Sequence, residues 1–160
     1  MIIALFAVDE KGGMGNQGNM PWPTIKEDMK WFKETTEGQV VVMGKKSWYS
    51  PDMPKPLPKR HNVVFTNNYI DNDKIDQIKG DVCEGLKYVE QKHPNNTVFV
   101  IGGANLLTQA KPVLNKAYIT RVPGEYICDA VLDMEEFLKG FKLVQVRDFG
   151  TCKVEEYETV

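Results

Sequence analysis

The chain has 160 residues, of which 42% are apolar, and its 20 basic and 22 acidic side chains leave a net charge of −2. We expect residues 1–160 to form one domain whose core needs no disulfide or structural metal. This charge offers no basic surface to nucleic acid. No apolar run reaches the roughly 20 residues of a membrane span, and the first run lacks signal-peptide features. These observations predict a cytoplasmic protein that binds neither nucleic acid nor membranes.

Cysteines and histidines give no sign of a metal site. Cys83, Cys128 and Cys152 are odd in number and show no CxxC spacing, so they predict neither a disulfide framework nor a zinc site. His61 and His93 form no HxE or HExxH pattern, which leaves metal-dependent hydrolysis and zinc deamination without ligands. We therefore expect no bound metal.

Apolar runs alternate with helical stretches in the order β, α, β, α, β. Continuous apolar runs predict strands covered on both faces, at residues 2–8, 40–43, 62–66 and 98–101. Helical spacing predicts helices at residues 24–36, 81–91 and 104–110. Extended segments follow at residues 117–122, 142–148 and 153–159. The expected fold is α/β, with a mixed sheet that ends in an antiparallel hairpin.

The segment from Gly13 to Gly18 reads GMGNQG and matches the letters of a dinucleotide-binding fingerprint. That fingerprint requires a helix to begin at its last glycine, whereas Met20, Pro21 and Trp22 follow here. The segment is therefore predicted to be a flexible loop. It acts either as a lid over a ligand or as an ordinary glycine-rich connection.

The first predicted helix carries an acid of interest. Thr24 and Glu27 have capping-box spacing, which predicts that the helix begins there. Asp28 shares a helical face with Trp31 and Phe32, which directs a carboxylate toward the interior. A buried carboxylate requires donors from a ligand or retains its proton. The alternative is an exposed acid that stabilises the helix dipole.

Two strand-to-helix turns are suited to anions. In VVVMGKKSW, a strand ends near Met43 and Lys45, Lys46 and Ser47 follow, which is typical of a phosphate site or of a solvated basic turn. In VFVIGGANLLTQA, Gly102 and Gly103 separate a strand from a helix, as in a phosphate site or a tight turn. Two such turns at neighbouring strand ends favour one extended dinucleotide.

These motifs occur in one order along the chain: AVDEKGGMGNQGNMPW, the helix with Asp28 and WFK, VVMGKKSW, PLPKR and VFVIGGANL. Together they resemble the dihydrofolate reductase family over almost the whole chain, most weakly at residues 69–97 and after residue 137. The resemblance implies an eight-stranded, mainly parallel sheet with flanking helices and a C-terminal antiparallel hairpin. It also implies a monomer that reduces 7,8-dihydrofolate with NADPH.

The resemblance also assigns roles to residues. Asp28 corresponds to the active-site carboxylate that accepts hydrogen bonds from the pterin, and Met20 and Trp22 correspond to a mobile lid over the reaction. Arg60 corresponds to the group that binds the glutamate α-carboxylate of the substrate, and Thr120 to the support of the aspartate. The implied substrate-binding residues are Leu5, Phe6, Asp28, Phe32, Met53, Leu57, Arg60, Ile101 and Thr120. The implied cofactor-binding residues are Ala7, Gly13, Met14, Gly15, Asn16, Gln17, Gly18, Asn19, Lys45, Lys46, Ser47, Thr66, Asn67, Gly102, Gly103, Ala104, Asn105 and Leu106.

Some positions depart from the commonest family pattern. Leu107 replaces a frequent tyrosine, Asn105 a frequent arginine and Cys128 a usual glycine. A related NADPH-dependent pyrimidine reductase and a non-catalytic pterin-binding or structural protein are the alternative interpretations. Asp28, Phe32 and Arg60 together favour folate. The resemblance further implies a cis peptide bond between Gly102 and Gly103.

Overall fold

An eight-stranded sheet forms the centre of the computed structural model, which describes residues 1–160. Its strands are β1 (Ile2–Val8), β3 (Val40–Gly44), β4 (His61–Phe65), β5 (Asp76–Ile78), β6 (Val98–Gly102), β7 (Lys116–Arg121), β9 (Phe141–Asp148) and β10 (Lys153–Thr159). They lie in the order β5-β4-β3-β6-β1-β7-β10-β9. Only β10 runs antiparallel to its neighbours, β7 and β9. The expected mainly parallel sheet with a C-terminal hairpin is confirmed.

Five helices and a second, small sheet complete the chain. The helices are α1 (Lys26–Thr36), α2 (Lys45–Trp48), α3 (Val82–Lys92), α4 (Ala104–Ala110) and α5 (Met134–Phe137). Two short strands, β2 (Gly13–Gly15) and β8 (Ala130–Val131), pair antiparallel to each other. None of the helices combines the length and the apolar character that crossing a membrane requires. The sequence did not predict β2, β5, β8 or α5, which are two to four residues long and too short for a periodic pattern.

The predicted capping box at the start of α1 is wrong. The helix begins at Lys26, its N-cap is Ile25, and no side chain caps it. The Met29 N–H donates to the Ile25 carbonyl at 3.0 Å, so Thr24 lies outside the first turn. In α3, by contrast, Asp81 caps the helix, because its carboxylate accepts from the Glu84 N–H at 2.9 Å.

Side chains of the strands alternate between two buried faces of the sheet. One side, here called the α3 face, carries Val40, Val42 and Val63 against Leu86 and Val89 of α3. The other, here called the α1 face, carries Leu5, Val41, Met43 and Val64 against Trp48 of α2 and Phe32 of α1. The strand residues between Ile2 and Val8 are nearly all buried, because β1 lies between β6 and β7 and is covered on both faces.

The carboxyl ends of the parallel strands meet at one edge of the sheet. Gly44 at the end of β3 is in register with Phe65 of β4, and Met43 is in register with Gly102 of β6. In α/β sheets, crevices for ligands form at this edge. The residues singled out at the strand ends are therefore brought together by the fold.

Candidate active site

A partly buried carboxylate, that of Asp28, lies between α1 and β7. The Thr120 hydroxyl donates to Asp28 Oδ1 at 2.6 Å, which fixes the side chain that helical spacing directed inward. Burial raises the pKa of Asp28, and the hydrogen bond from Thr120 offsets that rise only in part. On the same side, the Trp31 ring lies 6.1 Å from the ring of Tyr118. The predicted interior orientation of Asp28 is confirmed, and an exposed first-turn acid is excluded.

Apolar side chains of the α1 face include Phe32, which lies one helical turn after Asp28 in α1. Leu5 and Leu57 are 3% and 6% exposed, and the half-buried Phe32, Met53 and Ile101 pack against the same cluster. These five predicted substrate-binding side chains therefore share one face of the sheet. They form an apolar cluster whose half-buried members, such as Phe32, are partly accessible to a ligand.

Phe6 is the exception among the predicted substrate-binding side chains. It lies on the α3 face, where its ring meets Phe137 edge to face at a centroid distance of 5.4 Å. The side chain follows Leu5 in β1, and successive strand residues point to opposite faces. Only the backbone of Phe6 is therefore open to a ligand on the α1 face, and a side-chain role is wrong.

Arg60 extends along the carboxyl end of α1. Its guanidinium carbon lies 5.8 Å from the ring centroid of Phe32, its Nε donates to the Pro58 carbonyl at 2.8 Å, and its Nη1 donates to Thr36 Oγ1 at 3.3 Å. Two of the five guanidinium N–H groups are used in these bonds. The remaining donors are available to an anion, and the side chain is held beside the apolar surface that carries Phe32.

On the other side of the strand ends, two glycine turns approach each other closely. A Cβ built on Gly44 would lie 3.8 Å from the Gly102 carbonyl oxygen, and one built on Gly102 would lie 3.5 Å from Ser47 Oγ. A Cβ at Gly103 would meet nothing within 4 Å, so the turn faces open space. The peptide between Gly102 and Gly103 is cis, as the resemblance implied. The two turns that the sequence predicts to bind anions thus lie side by side at the carboxyl edge of the sheet.

The cations and hydroxyls expected around this crevice take different positions. Lys45 and Lys46 are exposed at the start of α2. Thr66 follows β4, and its hydroxyl donates to the Asn68 carbonyl at 2.8 Å, while Asn67 is exposed. All four residues follow the carboxyl ends of the neighbouring strands β3 and β4. They therefore lie on the same side of the molecule as the glycine turns.

The remaining predicted cofactor residues of β1 and α4 differ in accessibility. Ala7 is half-buried and is paired with Thr120. Ala104 is half-buried and Asn105 is exposed, where its Oδ1 accepts from Gln109 at 3.0 Å. Leu106 is 6% exposed within the core of the α3 face, so its side chain is unavailable to a ligand.

The glycine-rich segment is more structured than a flexible loop. Gly13–Gly15 forms β2, Asn16 and Asn19 form a β-bridge, and the Gln17 N–H donates to Asp129 Oδ2 at 2.9 Å. Met14 packs against the core of the α3 face, and Gly18 is exposed. No helix follows, as expected. The prediction of an irregular loop failed because the pairing partner, β8, lies more than 100 residues away in the chain and carries no local signal.

The two lid residues also differ. Met20 is 42% exposed, whereas Trp22 is 6% exposed, and its ring lies 6.0 Å from the ring of Tyr126. The segment 126–131 therefore holds both ends of the predicted lid, through Tyr126, Asp129 and β8. Sequence reasoning did not identify this second segment.

Asp9 is a further residue that the sequence did not single out. It is 1% exposed and accepts backbone hydrogen bonds from Gly13 at 2.8 Å, Lys11 at 2.9 Å and Tyr126 at 3.0 Å. Burial alone raises the pKa of Asp9, but these bonds outweigh it and the pKa is lowered. An acid directly after an apolar strand was the available signal. Its ionised carboxylate connects Lys11 and Gly13, at the start of the predicted lid, to Tyr126 through hydrogen bonds.

The fold defines an α/β protein in which a partly buried acid, Asp28, and two adjacent glycine turns lie near the carboxyl ends of the parallel strands. A sequence model of the family described as dihydrofolate reductase matches residues 1–159. The dihydrofolate reductase of Gallus gallus is 30% identical over 155 residues, which are 88% of this chain and 82% of that protein. Dihydrofolate reductase type 8 of Escherichia coli is 26% identical over 144 residues, covering 87% and 84%.

A solved structure has the same fold. It is described as dihydrofolate reductase from Enterococcus faecalis complexed with NADP(H) and RAB-propyl, and it matches 99% of this chain and 96% of its own with a TM-score of 0.82 and 21% identity. The chain belongs to the dihydrofolate reductase family. Its activity is the NADPH-dependent reduction of 7,8-dihydrofolate to 5,6,7,8-tetrahydrofolate.

Proposed function

We propose that this chain performs that reduction with Asp28 as its only carboxylate in contact with the pterin. The observation that carries the proposal is the partly buried Asp28 carboxylate, which has one protein donor, Thr120, and lies one helical turn before Phe32 of the apolar cluster. A carboxylate in such a position has lone pairs left for donors of a ligand. The pterin N3 and 2-amino groups are two parallel donors that match the two carboxylate oxygens.

The rest of the substrate fits the neighbouring side chains. Phe32 and the apolar residues Leu5, Leu57 and Ile101 provide a surface for the pterin and benzoyl rings. Arg60 has free guanidinium donors beyond Phe32, and a guanidinium binds a carboxylate in bidentate fashion. We assign Arg60 to the α-carboxylate of the glutamate tail. The substrate is thus held by one ion pair at its tail and one carboxylate at its reacting end.

The glycine crevice fits a dinucleotide. A Cβ on Gly103 would enter open space with nothing within 4 Å, whereas a Cβ on Gly44 would lie 3.9 Å from the Gly103 backbone nitrogen and one on Gly102 would lie 3.5 Å from Ser47 Oγ. Backbone N–H groups of these turns, the Ser47 hydroxyl and the ammonium groups of Lys45 and Lys46 provide the donors that pyrophosphate requires. Lys45, Thr66 and Asn67 are the groups we assign to a 2′-phosphate. None of these three residues is an acid that could bind the 2′- and 3′-hydroxyls of an NADH ribose. The three residues therefore favour NADPH over NADH.

NADPH supplies a hydride to C6 of the pterin when it is bound. The residues of this chain contribute by holding the pterin in place, by excluding water and by stabilising charge. Because N5 acquires a proton, the pterin becomes cationic, and the Asp28 carboxylate in its water-poor surroundings stabilises that cation more than the neutral substrate. Asp28 does not itself deliver the proton to N5. A water molecule under the lid does so.

The lid residues Met20 and Trp22 close this site. Trp22 is anchored against Tyr126, whereas Met20 remains exposed and free to cover a ligand. A hydrophobic side chain that covers the reacting rings keeps bulk water away from the transferred hydride. We further propose that the enzyme is a monomer and that it acts in the cytoplasm.

The test is a spectroscopic assay of the purified protein. Mixing it with NADPH and 7,8-dihydrofolate should cause loss of the near-ultraviolet absorbance of NADPH, and chromatography should show tetrahydrofolate as the product. Pterin binding without NADPH oxidation would show a non-catalytic scaffold. Oxidation with a ribosylaminopyrimidine but not with dihydrofolate would identify the related pyrimidine reductase instead.

A further inference from the structure

The two histidines of the chain lie side by side although they are distant in sequence. Their ring centroids are 4.4 Å apart, and the ring planes are tilted by 45°. His61 is the first residue of β4, and His93 caps the carboxyl end of α3. Asp76, the first residue of β5, completes the group, with its Oδ2 2.7 Å from His61 Nε2. Three separate elements therefore bring two imidazoles and one carboxylate together.

The spacing of these groups suits a shared ion. One ligand atom from each of the three side chains lies within 4.8 Å of the others. Bonds of about 2.0–2.2 Å in a tetrahedral site place ligand atoms roughly 3.3 Å apart. The side chains of His61 and Asp76 are 41% and 46% exposed, at the ends of their elements, so the small rotations required meet little resistance.

His93 provides an independent sign of an unmet partner. Its Nε2 is buried from solvent and has no hydrogen-bond partner. A buried polar atom without a partner is unfavourable, and most such atoms in folded proteins are paired. The His93 ring thus lacks the polar contacts that would fix it in a purely structural role.

We propose that His61, Asp76 and His93 form a binding site for a divalent transition-metal ion of the zinc type. Two imidazoles with one carboxylate are a ligand set that Zn²⁺ prefers, whereas Ca²⁺ and Mg²⁺ prefer oxygen ligands alone. The ion connects β4, the edge strand β5 and the end of α3. Because only the folded chain brings the ligands together, the bound ion stabilises the folded state. The proposal departs from the sequence-based expectation that no metal binds.

The site is separate from the folate cleft. His61 directly follows Arg60 in the chain and begins β4, in which alternate residues share a face. His61 shares the side of Val63, which packs on the α3 face, whereas Phe32 beside Arg60 lies on the α1 face. The proposal therefore stands independently of the residues assigned to dihydrofolate.

Lys92 is the natural competitor of the ion. Its Nζ lies 3.6 Å from Asp76 Oδ2, and its side chain is 50% exposed. Ion pairs this exposed contribute little, so the ammonium can move into solvent when a cation binds. Removing it leaves the carboxylate free for the ion. A Lys92→Met variant should consequently bind zinc more tightly than the natural protein.

The proposal is tested by calorimetric titration of the intact protein with Zn²⁺ alone. We expect one ion per chain and, at a hundredfold excess over Kd, a rise in Tm of about 5–10 °C. His61→Gln, His93→Gln and Asp76→Asn should each weaken binding at least about tenfold and remove the rise in Tm. Cys83→Ser is the matched control, since Cys83 is on α3 but about 15 Å further along the helix.

A second measurement uses only the natural protein, so it tests the site even if the variants fail to fold. In the natural protein, paramagnetic Co²⁺ should broaden the NMR signals of both histidine rings together at one equivalent. The proposal is overturned if both histidine variants keep the natural affinity for zinc. It is equally overturned if Cys83→Ser abolishes binding, or if neither ring signal responds to the ion.

Discussion

The two sides of the proposed cleft, one assigned to the substrate and one to the cofactor, are built by different means. The substrate side consists of side chains fixed by regular elements, with Asp28 on α1 hydrogen-bonded to Thr120 on β7. The cofactor side consists largely of backbone, because Gly44, Gly102 and Gly103 leave room that side chains would fill. The polar groups there, such as Lys45, are exposed. Binding on the substrate side thus depends on a few desolvated side chains. Binding on the cofactor side depends on many weak contacts.

This difference sets the expected size of single substitutions. A desolvated charge in a water-poor pocket interacts strongly with charge that develops nearby, whereas an exposed ammonium is screened by solvent and salt. Substitutions on the substrate side should therefore cost orders of magnitude in activity. Substitutions of exposed cations on the cofactor side should cost several-fold.

The largest effect is expected for Asp28→Asn. The amide keeps the size of the side chain, removes the charge and turns one acceptor into a donor that faces the donors of the pterin. We expect kcat/KM for dihydrofolate to fall roughly 10²–10⁴-fold, with NADPH affinity nearly unchanged. Steady-state kinetics and NADPH titration measure both. Glu27→Gln, an exposed acid one position earlier, is the matched control.

The pH profile should change in the same variant. Hydride transfer in the natural enzyme should slow as pH rises, because protonated N5 becomes scarce. In Asp28→Asn that decline should begin at lower pH, since no anion supports the proton. Natural activity with an unchanged profile would show that Asp28 has no part in the reaction.

Asp28→Asn should also affect stability. Whereas the substitution lowers activity, we expect it to raise the stability of the fold at neutral pH. Burial raises the pKa of this carboxyl above its ordinary value of 3.8, so the folded chain holds the proton more tightly than the unfolded chain. The free energy of unfolding therefore decreases as pH rises from 3.8 through the raised value. Asp28→Asn lacks this decrease, and its Tm at neutral pH should exceed that of the natural protein. A lower Tm, measured by calorimetry, would contradict a dominant cost of burial.

The same contrast explains which features the sequence predicted. Helical spacing placed Asp28 and Phe32 on one face, and apolar runs located the central strands, because both signals are local and periodic. The pairing of Gly13–Gly15 with Ala130–Val131 and the bond from Gln17 to Asp129 join distant segments through backbone groups. Such contacts leave no periodic trace, so the structure of the lid was not predictable.

Individual side chains show a second limit of sequence reasoning. Phe6 and Leu106 match family positions, yet both side chains are buried in the core of the α3 face. A motif match identifies a position near a ligand, but it does not say whether the backbone or the side chain faces that ligand. The sequence also did not predict that His61 and His93 lie side by side. Their contact depends on where the end of α3 lies relative to the start of β4.

Arg60→Ala should produce the next largest effect. Loss of a charge-assisted bidentate contact costs on the order of 2–3 kcal/mol, so KM for dihydrofolate should rise tens-fold. The effect on kcat should be smaller, because the glutamate tail is remote from C6. Steady-state kinetics separate the two constants. Lys59→Ala is the control, since that neighbouring side chain is 75% exposed and lies 3.9 Å from Glu37. A lower kcat at unchanged KM would place the carboxylate contact elsewhere.

The smallest effect is expected for Lys45→Ala, which tests the cofactor side. An exposed ammonium that meets a phosphate contributes about 0–1 kcal/mol, so KM for NADPH should rise up to about fivefold while KM for NADH stays the same. The preference for NADPH should therefore shrink, and added salt should reduce it in the natural enzyme but much less in the variant. Kinetics with both cofactors at two salt concentrations measure this, with Lys142→Ala on the far edge strand β9 as the control. If the natural enzyme used both cofactors equally and Lys45→Ala left NADPH binding unchanged, the 2′-phosphate would not lie beside Lys45. Selectivity would then have to come from the backbone turns, and the contrast between the two sides of the cleft would be sharper still.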